Sequence, residues 1–244
     1  YVTLEMSEEK IAERIDANCL NLSIKDIVDV PQVIFRSKIS DLQKKTNGKI
    51  IIKEYPTASA HSGHFRSLLN ELKLKKSFKP DIIFIDYLNI CASVRYKGHI
   101  VNSYTYVKAI AEELRGLAVE FDLPIISATQ TTRSGFGSSD PDLTDTSESF
   151  GLPATADLMF ALITNEELEQ EGRIMVKQLK NRYNDLTSNR KFLVGIDRAK
   201  MKLFDVAESS RDLTHDKESE DEIEAFDTIK QNQARLSKFA EWNV

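Results

Sequence analysis

DIIFIDYL, residues 81–88, decides the fold. Ile82 to Ile85 run apolar without a break and end in Asp86, the pattern of a parallel strand buried in a sheet. Upstream, YVTLEM (1–6) places Val2, Leu4 and Met6 on one face of a strand, and KIIIKEY (49–55) reads as another. Downstream, PIISATQ (124–130) is a further short buried strand. Helices alternate with them. Ser7 fits an N-cap before Glu8 and Glu9, with Ile11, Ile15 and Cys19 as an apolar stripe. A second helix opens at Pro31 and stops at Asn47-Gly48, and a third covers 64–74. The spacing of Val107, Ile110, Ala111, Leu114 and Leu117 predicts a helix over 103–121 with those residues inward. DLMFALIT (157–164), RIMVKQLKNR (173–182) and RKFLVGID (190–197) follow as strands, the last two as a hairpin. Such an order predicts an α/β fold: a mostly parallel sheet with helices on both faces and a late β-hairpin.

The 244 residues are 41% hydrophobic and 29% charged, which fits this class, and no apolar run is long enough to span a bilayer. No secretory signal opens the chain, and Cys19 and Cys91 form no CxxC pair. Buried thiols in a reducing cytoplasm are expected. A start at Tyr1, inside a strand, suggests a fragment of a larger polypeptide. Net charge is -5. Residues 211–244 hold 9 acids and 5 bases, leaving about -1 on residues 1–210, so a uniformly basic nucleic-acid binder is excluded. The chain divides into a core over 1–210 and an acidic tail over 211–244 with a possible short helix near Phe239 and Trp242. A solvated tail is the plain reading and a docking segment the sharper one.

Polar residues fall at or beyond strand ends at Glu5, Asp86, Gln130 and the Lys180/Arg182 pair, where open α/β sheets bind ligands. Asp86 emerges from its apolar strand as a carboxylate able to hold Mg²⁺ beside a nucleoside triphosphate, although many α/β strands end in Asp without such a role. Glu5 can polarise an attacking water, or it is a surface acid near a helix N-terminus. Gln130 can bond a phosphate oxygen through its NH₂ group and another partner through its carbonyl, or it is a satisfied buried amide. Residues 173–202 carry nine bases and two acids. They form a solvated basic hairpin, or they meet DNA phosphates or the triphosphate of an adjacent subunit, with Arg182 as an arginine finger.

YVTLEMSEE, DIIFIDYL, IISATQ, ESFGLPATAD and KQLKNRYND, in this order and spacing, resemble the hexameric replicative helicases of the DnaB family, in particular its T-even phage branch. The resemblance covers residues 1 to about 205. It implies a RecA-like ATPase core and, in the intact protein, ATP-driven 5'-3' translocation on single-stranded DNA and duplex unwinding by a hexameric ring. It implies ATP or another NTP with Mg²⁺, and single-stranded DNA, other subunits, a primase and a helicase loader as partners. By resemblance Glu5 activates water, Asp86 is the Walker B aspartate and Gln130 the sensor after the next strand. Lys180 and Arg182 are the pair reaching the neighbouring subunit's γ-phosphate. The stretch from Thr131 to Glu148 matches a channel loop gripping DNA, with Arg133, Ser134, Gly135, Thr146 and Glu148 as its contacts and backbone amides supplying much of the hold.

No G-x-x-x-x-G-K-[ST] occurs in the sequence, so the phosphate-cradling loop and the fold's first strand are absent from these residues. The chain by itself is therefore expected neither to bind ATP tightly nor to unwind DNA. A RecA-like recombinase or clock-type ATPase shares the core, but TLEM, IDYL and the KNR hairpin together favour the helicase. A non-enzymatic interaction module of the same fold is the rival from another class; joint retention of Glu5, Asp86, Gln130 and Arg182 argues against it.

Overall fold

The structure is a computed structural model and describes residues 1–96, 101–131, 143, 151–186 and 190–206. Its first half is a parallel sheet in the order β2-β1-β3-β4, built from β1 (Val2–Thr3), β2 (Lys53–Glu54), β3 (Ile83–Asp86) and β4 (Ile125–Ser127). Thr3 lies opposite Asp86, and Ile85 opposite Ser127, so the carboxyl ends of β1, β3 and β4 share one edge. Five helices accompany the sheet: α1 (Glu8–Leu20), α2 (Ile24–Asp29), α3 (Gln32–Lys45), α4 (Ser62–Lys76) and α5 (Ser103–Phe121).

One core joins α4 and α5 to the sheet. Val2 and Leu4 pack with Ile83 and Ile85 of the sheet, Phe65 and Leu69 of α4, and Ile110, Leu114 and Leu117 of α5. Burying such aliphatic side chains contributes roughly 1.5–3 kcal/mol each, an upper figure set by the unfolded reference. The inward stripe predicted for α5 is the buried one, and its bounds are those expected. Asn102 starts the helix by accepting from the Thr105 N–H at 2.8 Å, and Asp122 ends it in the left-handed region at φ 51°.

Several expectations change. The strands are shorter than their apolar runs: even β1, which has a neighbour on each side, pairs over only Val2–Thr3. Ile82, Phe84 and Ile126 are exposed, so helices cover mainly one face of this sheet among the described residues. PIISATQ is consequently not a buried strand, and Gln130 lies three residues beyond its end. Cys91 is buried but Cys19 is exposed: the predicted stripe on α1 buries Ile11 and turns away before Cys19. Helix α2 was not expected from the sequence.

The second half is α6 (Gly151–Thr155), β5 (Leu158–Ile163), α7 (Glu166–Gln170), β6 (Arg173–Asn181), β7 (Lys191–Asp197) and β8 (Lys202–Asp205). Its strands form a separate antiparallel sheet in sequence order, which contains the predicted hairpin as β6 and β7 and adds β8. Helix α6 packs on α5, where Gly151 sits so close to Lys108 that a Cβ would lie 2.9 Å from its Cδ. The loop after β7 meets the first half, with the Ile24 N–H donating to Ala199 O at 3.0 Å. Residues 211–244 and the channel-loop contacts Arg133, Ser134, Gly135, Thr146 and Glu148 lie outside the described residues.

Candidate active site

Glu5 is carried out of the sheet by a local turn. Thr3 is fully buried, and its hydroxyl satisfies itself on one residue, donating to Met6 O at 2.8 Å and accepting from the Met6 N–H at 3.1 Å. This ends β1 and leaves Glu5 exposed, with no hydrogen bond or ion pair among the described residues. Ser7 then caps α1 by accepting from the Lys10 N–H, as its sequence position predicts.

Asp86 ends β3 beside that turn. Its backbone carbonyl accepts from the Leu4 N–H at 2.9 Å, and its Oδ2 accepts the Tyr1 hydroxyl at 2.6 Å. Burial and then this bond to the carboxylate push the Tyr1 phenol well above its ordinary range, so it stays a donor. The Tyr1 ring also stacks against Phe84 at 6.3 Å. Oδ1 of Asp86 has no hydrogen bond among the described residues and remains open to a ligand.

Gln130 is exposed rather than a buried amide, and its Nε2 donates to the Tyr87 hydroxyl at 3.1 Å. Thr129 Oγ1 donates to Asn89 Oδ1 at 2.8 Å, and Ser127 Oγ to Ile85 O at 2.7 Å. The end of β4 is therefore stitched to the end of β3 by three side chains. The strand ends that precede Glu5 and Gln130 and that Asp86 closes lie at one edge of the first sheet.

Lys180 and Arg182 do not join them. They sit at the end of β6, on the other sheet, and no hydrogen bond or ion pair among the described residues links them to the first three. The basic pair faces α6: Lys180 Nζ donates to the carbonyls of Pro153 and Ala154, and Arg182 Nη2 to Ala154 O at 3.2 Å. Burial, then the neighbouring Arg182, lowers the Lys180 ammonium pKa, with Asp157 opposing. Arg182 Nη1 lies 2.7 Å from Asp157 Oδ1, and Arg115 Nη1 donates to Asp157 Oδ2 at 2.8 Å.

Sequence reasoning missed Tyr1, Tyr87, Arg115 and Asp157. Arg115 sits one position off the apolar stripe of α5 and carries no local signal. Asp157 had one: an acid directly before an apolar strand, as Asp81 stands before Ile82–Ile85. A divalent ion at the first site needs donors beyond the described side chains, because no group of three His, Cys, Asp or Glu converges among the described residues. One carboxylate with phosphate and water is, however, an ordinary Mg²⁺ donor set.

The family model for the DnaB-like helicase C terminal domain matches residues 1–199. A DnaB-like replicative helicase of Enterobacteria phage T4 is 46% identical over 213 residues, covering 86% of this chain and 45% of that protein. A probable plasmid replicative DNA helicase of Chlamydia psittaci is 26% identical over 196 residues, covering 77% and 41% respectively. The chain thus spans less than half the length of these relatives. Among solved structures, one described as an ATPase domain shares the fold at a TM-score of 0.68 and 19% identity, covering 84% of this chain and 74% of that one. A DnaB-like replicative helicase solved in a study of its interactions with primase matches at 0.68 and 19%, covering 84% and 50%.

Proposed function

Because this chain belongs to the DnaB-like helicase C-terminal domain family, we propose that it forms most of the ATPase core of a replicative DNA helicase. The motor couples nucleotide hydrolysis to movement along single-stranded DNA and to duplex unwinding. The observation that carries this reading is the separation of two groups: Glu5, Asp86 and Gln130 on one sheet edge, Lys180 and Arg182 on another sheet. A motor whose sites lie between subunits needs that division, since one subunit supplies the water-activating acid and its neighbour the cations.

Glu5, exposed and unpaired among the described residues, orients water and takes its proton. Asp86 Oδ1 is the free oxygen for Mg²⁺, which when bound with a nucleotide neutralises phosphate charge. Tyr1 fixes the other oxygen and so the carboxylate's orientation. Gln130 presents its amide to the same space while its Nε2 reads the position of Tyr87. Lys180 and Arg182 bring positive charge for the triphosphate of a neighbouring copy in a hexameric ring. The phosphate-cradling loop is not among these 244 residues. Among the described residues the outer edges of β4 and β5 are unpaired, with Ile126 and Phe160 exposed, and they suit a further strand. Residues 131–148 are assigned to grip single-stranded DNA, and a primase and a loader are the expected partners. No helix among the described residues is long and apolar enough to cross a membrane.

The test is Mg-ATP hydrolysis by the intact helicase, with and without single-stranded DNA, beside an Arg182→Ala variant. Loss of a trans arginine is expected to lower turnover on the order of 10³-fold or more. Unchanged hydrolysis in the variant overturns the intersubunit role.

A further inference from the structure

The surroundings of Arg182 carry more than its assignment. Three cations, Lys180, Arg182 and Arg115, converge on the last carbonyls of α6, and Asp157 is the carboxylate among them. Arg115 Nη1 is well held: it donates to Asp157 Oδ2 at 2.8 Å and to Thr155 O at 2.8 Å, and the Tyr183 hydroxyl adjoins it. The backbone fixes Asp157 as well, since its carbonyl accepts from the Arg182 N–H at 2.9 Å. The Arg182 side chain is held differently. Its Nη1 is 2.7 Å from Asp157 Oδ1, yet that buried oxygen receives no aligned hydrogen bond. The contact is therefore Coulombic attraction without directed bonding, joined by one bond to Ala154 O at 3.2 Å.

We propose that Asp157 is a positioning residue that parks Arg182 in cis against the end of α6, and that Arg115 keeps Asp157 in place when Arg182 leaves for an anion. Helix carbonyls at a C-terminus attract cations, so α6 and Asp157 form a resting site for the guanidinium in the absence of phosphate. A triphosphate offers bidentate, charge-assisted bonds that the resting site does not. Departure of Arg182 leaves Asp157 still paired with Arg115, so no buried carboxylate is stranded. The pair is made to exchange partners. This deepens the intersubunit role of Arg182 and rests on it for its purpose, though not for its geometry.

The resting site is tested on the 244-residue chain without nucleotide. Phenylglyoxal modification of Arg182 is followed by peptide mass mapping in the native chain and in Asp157→Asn, with exposed Arg36 as the rate reference. The thiol of buried Cys91 reports whether the variant is folded. Release predicts that Arg182 reacts about two- to fivefold faster in Asp157→Asn, the range a partly exposed ion pair contributes, while Cys91 stays protected. An equal rate in a folded variant overturns the proposal. If the variant unfolds, the native chain decides: raising salt from about 0.05 to about 1 M should accelerate Arg182 relative to Arg36, and no acceleration overturns the proposal. Because this readout involves no turnover, faster modification with an inert Arg182→Ala helicase would uphold the parking site and the trans role together, whereas faster modification with a fully active Arg182→Ala helicase would uphold the parking site and sink the trans role alone.

Discussion

Gln130 Nε2 donates to the Tyr87 hydroxyl at 3.1 Å, which links a residue past the end of β4 to the residue directly following Asp86. A shift of either strand end is thereby felt by the other. Tyr87→Phe removes this link without removing Gln130. In the intact helicase, stimulation of hydrolysis by single-stranded DNA should fall about fivefold, the equivalent of one hydrogen bond. Stimulation unchanged from wild type takes Tyr87 out of the relay.

Tyr1 and Asp86 give a pH signature. The Tyr1 phenol is raised in the fold by burial and by its bond to the carboxylate. A raised group stabilises fully below its unfolded value, about 10 for tyrosine, and that contribution is lost as pH climbs toward the folded value. Unfolding free energy should decline above about pH 10, and less steeply in Tyr1→Phe. Denaturant melts of both chains at pH 8 and pH 11 measure the difference; parallel declines would contradict it.

Glu113 on α5 organises the chain after β3. Its carboxylate accepts from Ser93 Oγ at 2.7 Å, Ser62 Oγ at 3.1 Å, and the Val94 and Arg95 N–H groups at 3.0 and 3.3 Å. Burial works against the charged form, but the bonds from Ser93, Val94, Arg95 and Ser62 outweigh it and the pKa is lowered. Glu113→Ala should therefore cost about 1–3 kcal/mol at neutral pH by leaving donors unpaired. A lowered carboxyl loses its contribution as pH falls through the folded value, so the gap between variant and wild type should narrow below about pH 4. Thermal unfolding at pH 7 and pH 3 checks both halves of this expectation.

The two thiols should report separately. Cys19 is exposed, whereas burial, then the nearby Glu113, pushes the Cys91 thiol up to about 12. A disulfide reagent should titrate one thiol in the native chain and two in denaturant, and Cys19→Ser should abolish the native reaction. Two fast thiols in the folded chain would place Cys91 wrongly.

Much of the first sheet was legible because its signals are local. The α5 stripe, the Ser7 cap and the acid closing an apolar strand each follow from a few neighbouring residues, and the ends of β1, β3 and β4 share one sheet edge. What escaped depends on pairings distant in sequence. Arg115 meets Asp157 across 42 residues and Tyr1 meets Asp86 across 85, and neither pairing leaves a periodic trace. The open face of Phe84 and Ile126 was also unreadable, since an apolar run shows that burial is favoured without showing what does the burying. Cys19 failed for a related reason: three apolar positions on a helix do not state how far the underlying sheet extends.

The unpaired margin of β5 has a colloidal consequence. Leu158, Phe160 and Leu162 are 49%, 49% and 67% exposed on a strand that, among the described residues, is hydrogen-bonded along one side only, and Ile126 on β4 is similarly bare. An apolar strand with free N–H and C=O groups templates addition of another strand from any chain nearby. Kept alone in solution at high concentration, these 244 residues should grow into sedimenting aggregates. A lysine in place of Phe160 should delay that clouding more than one placed on the outer surface of α3.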